Sequence, residues 1–218
     1  MAINIFDVQT DGPKVTFDVV GRFRAGHMIG KRPQSLHEWR VTSDEKAVVE
    51  AVTEVYGGTA QSWDNEKQPY EAFTDATTLD IIVERIFSGM TLWGRAGAIH
   101  RCDGETVSYP EEQAGQKCNM AGRPMAERKG AAQAGTGCAP DVTVRFRLAA
   151  NPELGVFEFK SGSWNLARDI GAAESALAKF GGKAKGTLTL EPVEWVDKAS
   201  GQTRKFVKSA VVLTEASE

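Results

Sequence analysis

The stretch DVTVRFRLA, residues 141–149, gives the strongest indication of the fold. Every second side chain in it is apolar: Val142, Val144, Phe146 and Leu148. Successive side chains of a β-strand point to opposite faces, so this alternation predicts a strand with one face in the core. GVFEFKS (155–161) follows after a short break and predicts another strand.

The same pattern recurs along the chain. VTFDVVGRFRA (15–25) alternates, with Val15, Phe17, Val19 and Phe23 on one face. Further strands are predicted at TTLDIIV (77–83), at the glycine-broken MTLWGRAGAIHRC (90–102), at GTLTLEPVEWV (186–196) and at TRKFVKSAVVLT (203–214). The segment DKASGQ (197–202) has the composition of a hairpin turn and joins the last two strands.

Two segments have helical spacing instead. In the first, Val48, Val49, Val52, Val55 and Tyr56 form an apolar stripe, and Gly57-Gly58 would end the helix. Thr42 and Glu45 have the spacing of a capping box, which predicts the helix start. The second helix is predicted from about Ser163 to Gly181-Gly182, with the apolar stripe Leu166, Ile170, Ala173, Leu177 and Phe180.

These elements predict an α+β fold of mostly antiparallel sheets with two main helices. In both halves a strand, a helix, Gly-Gly and a second strand follow one another, so either a duplicated unit or the common use of Gly-Gly at helix ends explains the likeness. Large apolar residues are scarce from 104 to 137, which predicts a long loop. We therefore divide the chain into an α/β half (1–98), a cysteine-containing insertion (99–140) and an α/β half ending in a β-hairpin (141–218). The three parts are compatible with one compact domain.

Composition and charge narrow the class of protein. The 218 residues carry a formal net charge of -3, and residues 44–84 hold ten acidic residues against two lysines. Proteins that grip duplex DNA through many phosphates are usually basic, so this charge favours a protein partner. No apolar run approaches the ~18 residues of a membrane span, and the first residues do not resemble a signal peptide. With three cysteines, an odd number, we expect a cytoplasmic protein that makes no membrane contact.

The catalytic motifs that the sequence approaches are all incomplete. AGHMIGKR (25–32) has Ala25 and Arg32 where a phosphate-binding loop requires glycine and serine or threonine. His37-Glu38 begins a zinc-protease motif, but Val41 occupies the position of the second histidine. SGSWN (161–165) lacks the glycine that follows a serine nucleophile. We therefore expect a protein that is not an enzyme.

The three cysteines all lie in the predicted insertion, at Cys102, Cys118 and Cys138. His100 and Cys102 are two residues apart on a predicted strand, so both side chains would project to the same side and could bind one ion. Cys118 and Cys138 would complete a Cys₃His set, which is common for structural zinc. The alternatives are Asp103 as the fourth ligand, or three cysteines without metal, because no CxxC pair is present.

Several of these stretches together resemble the recombination directionality factors of actinobacterial temperate phages, the accessory proteins of large serine integrases. The resemblance covers about residues 15–213 and rests on GKRPQSLHEWRVTS (30–43), the helix ending YGG (56–58), RCDG (101–104), the later cysteines, the second helix and the basic terminal hairpin. In that family RCDG precedes a C-x-C pair and a further cysteine. Here the pair is reduced to Cys118, so either the site is lost or His100 substitutes for the missing ligand.

The resemblance implies a non-catalytic protein that binds a phage serine integrase on attachment-site DNA and switches recombination from integration to excision. Little or no autonomous DNA binding is then expected. The candidate contact residues are Trp39, Arg40, Trp63, Arg204 and Lys205, because aromatic and arginine side chains are the usual anchors of interfaces. The alternative is a nucleic-acid-binding accessory of phage replication or recombination. The bases of the bound nucleic acid would then stack on Phe146, which lies between Arg145 and Arg147, or on Phe206.

Overall fold

The computed structural model describes residues 18–30, 32–196 and 201–217, apart from the side chains of Pro33 and Arg204. Over these residues the protein is α+β, with largely antiparallel sheets, which confirms the predicted fold class. The helices are α1 (Lys46–Tyr56), α2 (Met125–Gln133) and α3 (Trp164–Lys179). The strands are β1 (Val19–Ile29), β2 (Arg32–Ser43), β3 (Gln61–Ser62), β4 (Tyr70–Phe73), β5 (Thr78–Phe87), β6 (Met90–Gly94), β7 (Gly97–Cys102), β8 (Val107–Tyr109), β9 (Ala139–Pro140), β10 (Val142–Leu148), β11 (Val156–Ser161), β12 (Ala184–Val196) and β13 (Thr203–Ala216).

The described residues form two compact units, which we treat separately. One comprises residues 18–86, 144–160 and 173–217, and the other comprises residues 87–143 and 161–172. We call the first the sheet unit and the second the cysteine unit. The boundaries proposed from the sequence at positions 98 and 140 stay a prediction.

A sheet of nine strands, in the order β13-β12-β5-β10-β11-β1-β2-β4-β3, forms the sheet unit. β1 runs parallel to β11 and antiparallel to β2, and β12 is antiparallel to both β5 and β13. β2 pairs directly with β4, which follows α1 and the two-residue strand β3, whereas β11 and β12, which flank α3, are separated by β10 and β5. The two strand-helix-strand segments therefore share their element order but not their place in the sheet. Val15 and Phe17 of the first predicted strand lie outside the described residues.

The core of the sheet unit is an aromatic cluster, which explains why the alternating strands are stable. Its members are Phe23, Trp39, Phe146, Phe157 and Phe159, none more than 1% exposed, with neighbouring ring centroids 5.2–6.3 Å apart. Each edge-to-face or offset pair adds about 0.5–1.5 kcal/mol beyond the burial of its area. Phe146 is fully buried, so the prediction that it offers a stacking surface for bases is wrong.

The first helix ends as predicted but does not begin as predicted. Gly57 and Gly58 follow α1 with φ angles of 74° and 89°, and a Cβ atom on Gly58 would overlap the carbonyl oxygen of Phe73. The capping box is wrong, because Thr42 lies within β2 and its hydroxyl accepts a hydrogen bond from Arg24 Nε at 3.1 Å. Strand pairing keeps Thr42 extended, so the helix begins only at Lys46.

The cysteine unit is built on a four-stranded sheet in the order β8-β7-β6-β9. Residues 104–137 were predicted to be a long loop, but they contain β8 and the nine-residue helix α2. The prediction failed because the sequence of α2, MAERKGAAQ, has no apolar stripe, and Arg128 is its buried side chain. The buried apolar residues of 87–143 are Met90, Cys102, Val107, Cys118, Cys138 and Val142. Leu166, Ala167 and Ile170 of α3 complete the buried apolar set of this unit, so three of its nine members are cysteine.

The predicted terminal hairpin is present, since β12 and β13 pair antiparallel from Ala184↔Ala216 to Val196↔Thr203. β12 pairs with β5 only as far as Thr189, so the end of the hairpin is a two-stranded ribbon within the described residues. Trp195 (47% exposed) and Phe206 (37% exposed) place aromatic surface on this ribbon. β13 is an edge strand of the nine-stranded sheet.

Candidate metal centre

His100 and Cys102 enter the candidate centre from β7. His100 lies opposite Leu92 and Cys102 lies opposite Met90 in the antiparallel pair of β6 and β7. As predicted for residues two apart on a strand, both side chains reach the same cluster. The Cys102 side chain is buried, and the His100 residue is half-buried.

Cys118 and Cys138 reach the same point from elements distant in sequence. The backbone N–H of Cys118 donates to the carbonyl of Glu105 at 2.7 Å, which holds its segment against the turn after β7. Cys138 directly precedes β9, whose Ala139 lies opposite Thr91 of β6. The cysteine sulfurs and one ring nitrogen of His100 all lie within 4.8 Å of one another.

The geometry of this cluster is compatible with a single tetrahedral ion. Two sulfurs that bind one zinc at about 2.3 Å are about 3.8 Å apart, so a contraction of up to roughly 1 Å would complete the site. His100 Nε2 is buried and makes no hydrogen bond to any described group. Buried polar atoms are rarely left without a partner, and a metal ion would supply one. The four residues could therefore hold a metal ion.

Asp103, the rival fourth ligand, has a different role in the structure. Its Oδ1 accepts the backbone N–H groups of Glu105 at 2.7 Å and of Thr106 at 2.6 Å. This carboxylate therefore closes the turn that connects β7 to β8, and it is not a member of the cluster. Such a turn is the usual local use of aspartate in this position.

The pKa values of the three thiols are shifted in different directions. Hydrogen bonds from Cys102 and then from Cys138 lower the pKa of the Cys118 thiol, although burial opposes them. The pKa of Cys102 is raised, first by its hydrogen bond to Cys118, then by the one to Cys138 and by burial. For Cys138, the hydrogen bond with Cys102 lowers the pKa, but the bond with Cys118 and burial outweigh it and raise the pKa to about 11. Cys118 is thus the most acidic of the three thiols, and binding of a divalent metal, which requires thiolates, would release thiol protons.

An ion pair that the sequence did not reveal connects α2 to the turn that follows Cys102. Arg128 of α2 is 4% exposed; its Nη2 lies 3.1 Å from Glu105 Oε1, and its Nε donates to the carbonyl of Arg123. Arg128 thereby ties α2 to the turn that follows Cys102. A Cβ on Gly104 would lie 3.1 Å from Arg128 Nη1, so this close approach favours glycine in RCDG. No pattern in the sequence marks Arg128 as buried.

One side of the centre faces a pocket of about 260 Å³. Leu92, Ile99 and Pro110 supply apolar walls, and the pocket extends to His100 and Cys138. Water and small ligands could therefore reach these two side chains without unfolding of the unit.

The residues predicted to contact a partner occupy very different environments. Trp39 is fully buried and donates from Nε1 to the carbonyl of Thr77 at 3.1 Å. Arg40 is 4% exposed, forms a salt bridge with Glu71, and stacks on Trp63 with its guanidinium carbon 4.1 Å from the ring centroid. Trp63 is half-buried.

The two predicted contact residues of the hairpin lie opposite β12. Lys205 is exposed and lies 2.9 Å from Glu194 of the neighbouring strand. The backbone of Arg204 lies opposite Trp195, and its side chain is outside the described residues. Their role as partner contacts stays a prediction.

Fold and site together define an α+β protein with a small cysteine-rich centre that could hold one metal ion. The chain matches the Gp3-like family, described as recombination directionality factor-like, over residues 20–214, and it belongs to this family. No solved structure matches the chain. None of the described helices is long and apolar enough to cross a membrane.

Proposed function

We propose that this protein is a non-catalytic recombination directionality factor, which binds a phage serine integrase on attachment-site DNA and switches recombination from integration to excision. The observation that carries this proposal is membership of the recombination directionality factor-like family over residues 20–214. The net charge of -3 supports a protein partner, because autonomous DNA binding generally needs a basic surface.

A binding protein can reverse the direction of recombination only by preferring one arrangement of the integrase complex. A tenfold bias needs a difference in binding free energy of about 1.4 kcal/mol. A change from 1:99 to 99:1 needs about 5.5 kcal/mol. Such differences lie within the reach of one interface with a few well-packed anchors.

We propose the end of the β12–β13 hairpin as part of the integrase contact. Exposed Trp195 and Phe206 lie close to Lys205, and aromatic side chains beside charges are typical of interface anchors. Trp63, which directly follows β3, stacks on Arg40 of β2. We therefore propose that these two residues stabilise the fold and do not contact the integrase. Trp39 belongs to the core.

We further propose that the candidate centre holds structural zinc with the ligands His100, Cys102, Cys118 and Cys138. Zinc would supply no reaction here; its bond energy would become folding energy for a unit with a small core. The unpartnered His100 Nε2 and the three converging thiols support this assignment.

The test is recombination in vitro between hybrid attachment sites, with the serine integrase from the same phage or prophage. Addition of the protein should increase excision and reduce integration between the original sites. A gel-shift assay on the same DNA should show a further shift only when integrase is present. No gain in excision would refute the proposed function, and salt-sensitive DNA binding without integrase would favour the nucleic-acid-binding alternative.

A further inference from the structure

Where β1, β10 and β11 lie side by side, the described residues on one face of the sheet unit include more cations than carboxylates. In register, Arg22 of β1 lies opposite Glu158 of β11 and Thr42 of β2, while Arg24 lies opposite Arg40. We call this surface the basic face and define it by six cations and three carboxylates: Arg22, Arg24, Arg40, Arg145, Arg147 and Lys160, with Glu71, Glu84 and Glu158.

Glu158 lies at the centre of the basic face and has more partners than one carboxylate can neutralise. Its side chain is 3% exposed and lies 3.3 Å from Arg22, 3.3 Å from Lys160 and 3.4 Å from Arg145. Among the described residues, Arg22 and Lys160 therefore share this one carboxylate with Arg145.

The other two carboxylates are each committed to one arginine. Glu71 pairs with buried Arg40, and Glu84 Oε1 lies 2.7 Å from Arg147 Nε. Each of these pairs is neutral, so neither reduces the excess charge around Glu158.

Arg24 adds a cation whose hydrogen bonds go to uncharged groups in the described part of the chain. Its Nε donates to Thr42 Oγ1 at 3.1 Å and its Nη2 to Gln68 Oε1 at 2.9 Å. Burial, then the neighbouring Arg40 and Arg22, lower the pKa of Arg24. Glu158 and Glu71 oppose this shift but do not cancel it.

Several of these cations remain accessible to a ligand, although Arg40 is buried. The side chains of Arg22 and Lys160 are 45% and 55% exposed, and that of Arg147 is 32% exposed. Arg22 and Arg24, two positions apart on one strand, place charges about 7 Å apart along the strand direction. An extended peptide with acidic residues at alternate positions has the same repeat.

We propose that the basic face binds an extended acidic segment of a protein partner, with Arg22, Arg24 and Lys160 as the principal contacts. Guanidinium groups bind carboxylates in a fixed two-pronged geometry, and each bound carboxylate would neutralise one excess cation. A peptide is favoured over a nucleic acid because domains that bind nucleic acid are usually basic as a whole, whereas this chain has a net charge of -3. The inference rests on the proposed function in placing this segment on the integrase.

The direct test measures binding of a fluorescein-labelled octaglutamate peptide to the full chain by anisotropy at low salt. Arg22→Gln with Lys160→Gln removes two contacts and leaves Arg145 as the partner of Glu158. Lys46→Gln with Arg168→Gln, in α1 and α3, makes the same change in net charge and serves as the matched control. We expect binding at least about tenfold weaker for the first variant, unchanged binding for the control, and affinity that falls with salt.

The results separate this inference from the proposed function. Equal peptide binding by wild type and the Arg22/Lys160 variant, with folding verified by circular dichroism, would overturn the basic face as the site. Tighter binding of the wild type to a duplex DNA of equal charge than to the peptide would also overturn it. If the wild type stimulates excision and the Arg22/Lys160 variant stimulates it equally, the inference is overturned and the proposed function is left intact. A wild type that binds peptide through this face but does not stimulate excision overturns the function instead.

Discussion

Replacement of Glu71 by glutamine should destabilise the sheet unit more than any exposed charge change. Glu71 is 6% exposed and Arg40 is 4% exposed, and Arg40 Nε donates to Glu71 Oε2 at 2.6 Å. Glutamine keeps the shape of the side chain but leaves the guanidinium without a counter-charge in a site that excludes water. Removal of one partner of a buried pair costs about 3–5 kcal/mol.

This loss is large enough for a simple equilibrium measurement. With a urea dependence of about 2 kcal/mol per molar, the unfolding midpoint of Glu71→Gln should fall by roughly 1.5–2.5 M. Glu50→Gln is the matched control, because Glu50 pairs with Lys46 at 2.6 Å with both side chains about half exposed, and its midpoint should stay near the wild-type value. Arg40→Met with Glu71→Leu should recover much of the loss, since apolar replacements of buried pairs are often neutral.

The reasoning fails if Glu71→Gln unfolds within about 0.5 M urea of the wild type. That result would mean that water solvates Arg40 and that its guanidinium is available to a partner, as the sequence alone suggested. A large loss that the double replacement does not recover would also contradict the account, because packing and not charge would then determine the cost.

Three further predictions concern the metal centre, the hairpin and a helix end. The purified protein should contain one zinc ion per chain by atomic absorption; Cys102→Ser should lose it, and Asp103→Asn, which keeps the turn acceptor, should retain it. A metal-free wild type would refute the site. Alanine at Arg204 and Lys205 should weaken integrase capture in a pull-down roughly two- to thirtyfold, whereas Lys46→Ala should not; unchanged capture removes the hairpin from the contact. Gly58→Ala should lower the free energy of unfolding by more than about 2 kcal/mol, because its φ of 89° and the Phe73 carbonyl both oppose a Cβ. Gly30→Ala, with φ of 59° and open surroundings, is the control and should cost less.

Local patterns predicted most of the strands, because alternation reflects one buried face and needs no knowledge of neighbours. Residues 141–149 form β10 as expected, and the stripe of valines forms α1. The start of α1 was wrong because pairing of Thr42 with both Arg22 and Glu71 overrides a local capping signal. α2 was missed because a short polar helix has no apolar periodicity to detect.

For the candidate centre, the sequence identified the four ligand residues but did not show that their side chains meet at one point. His100 and Cys102 could be paired from their spacing, since strand periodicity places both on one side. The approach of Cys118 and Cys138 depends on a turn and on the pairing of β9 with β6, which spacings along the chain do not reveal. The basic face was also hidden, because its cations come from four separate strands whose order and register only the fold determines.

The position of β5 in the nine-stranded sheet has a consequence for the synthesis of this protein. β5 lies between β10 and β12, and Val83 of β5 lies opposite Ala184 of β12. At translation rates of about 5–20 residues per second, the chain between these positions takes roughly 5–20 s to make. Throughout that interval β5 lacks its β12 partner, and until residues 142–148 are made it also lacks its β10 partner, so Leu79, Ile81 and Val83 have no strand neighbours at first. The nascent chain should therefore depend on chaperones late in translation, and expression at low temperature should raise the yield of folded protein.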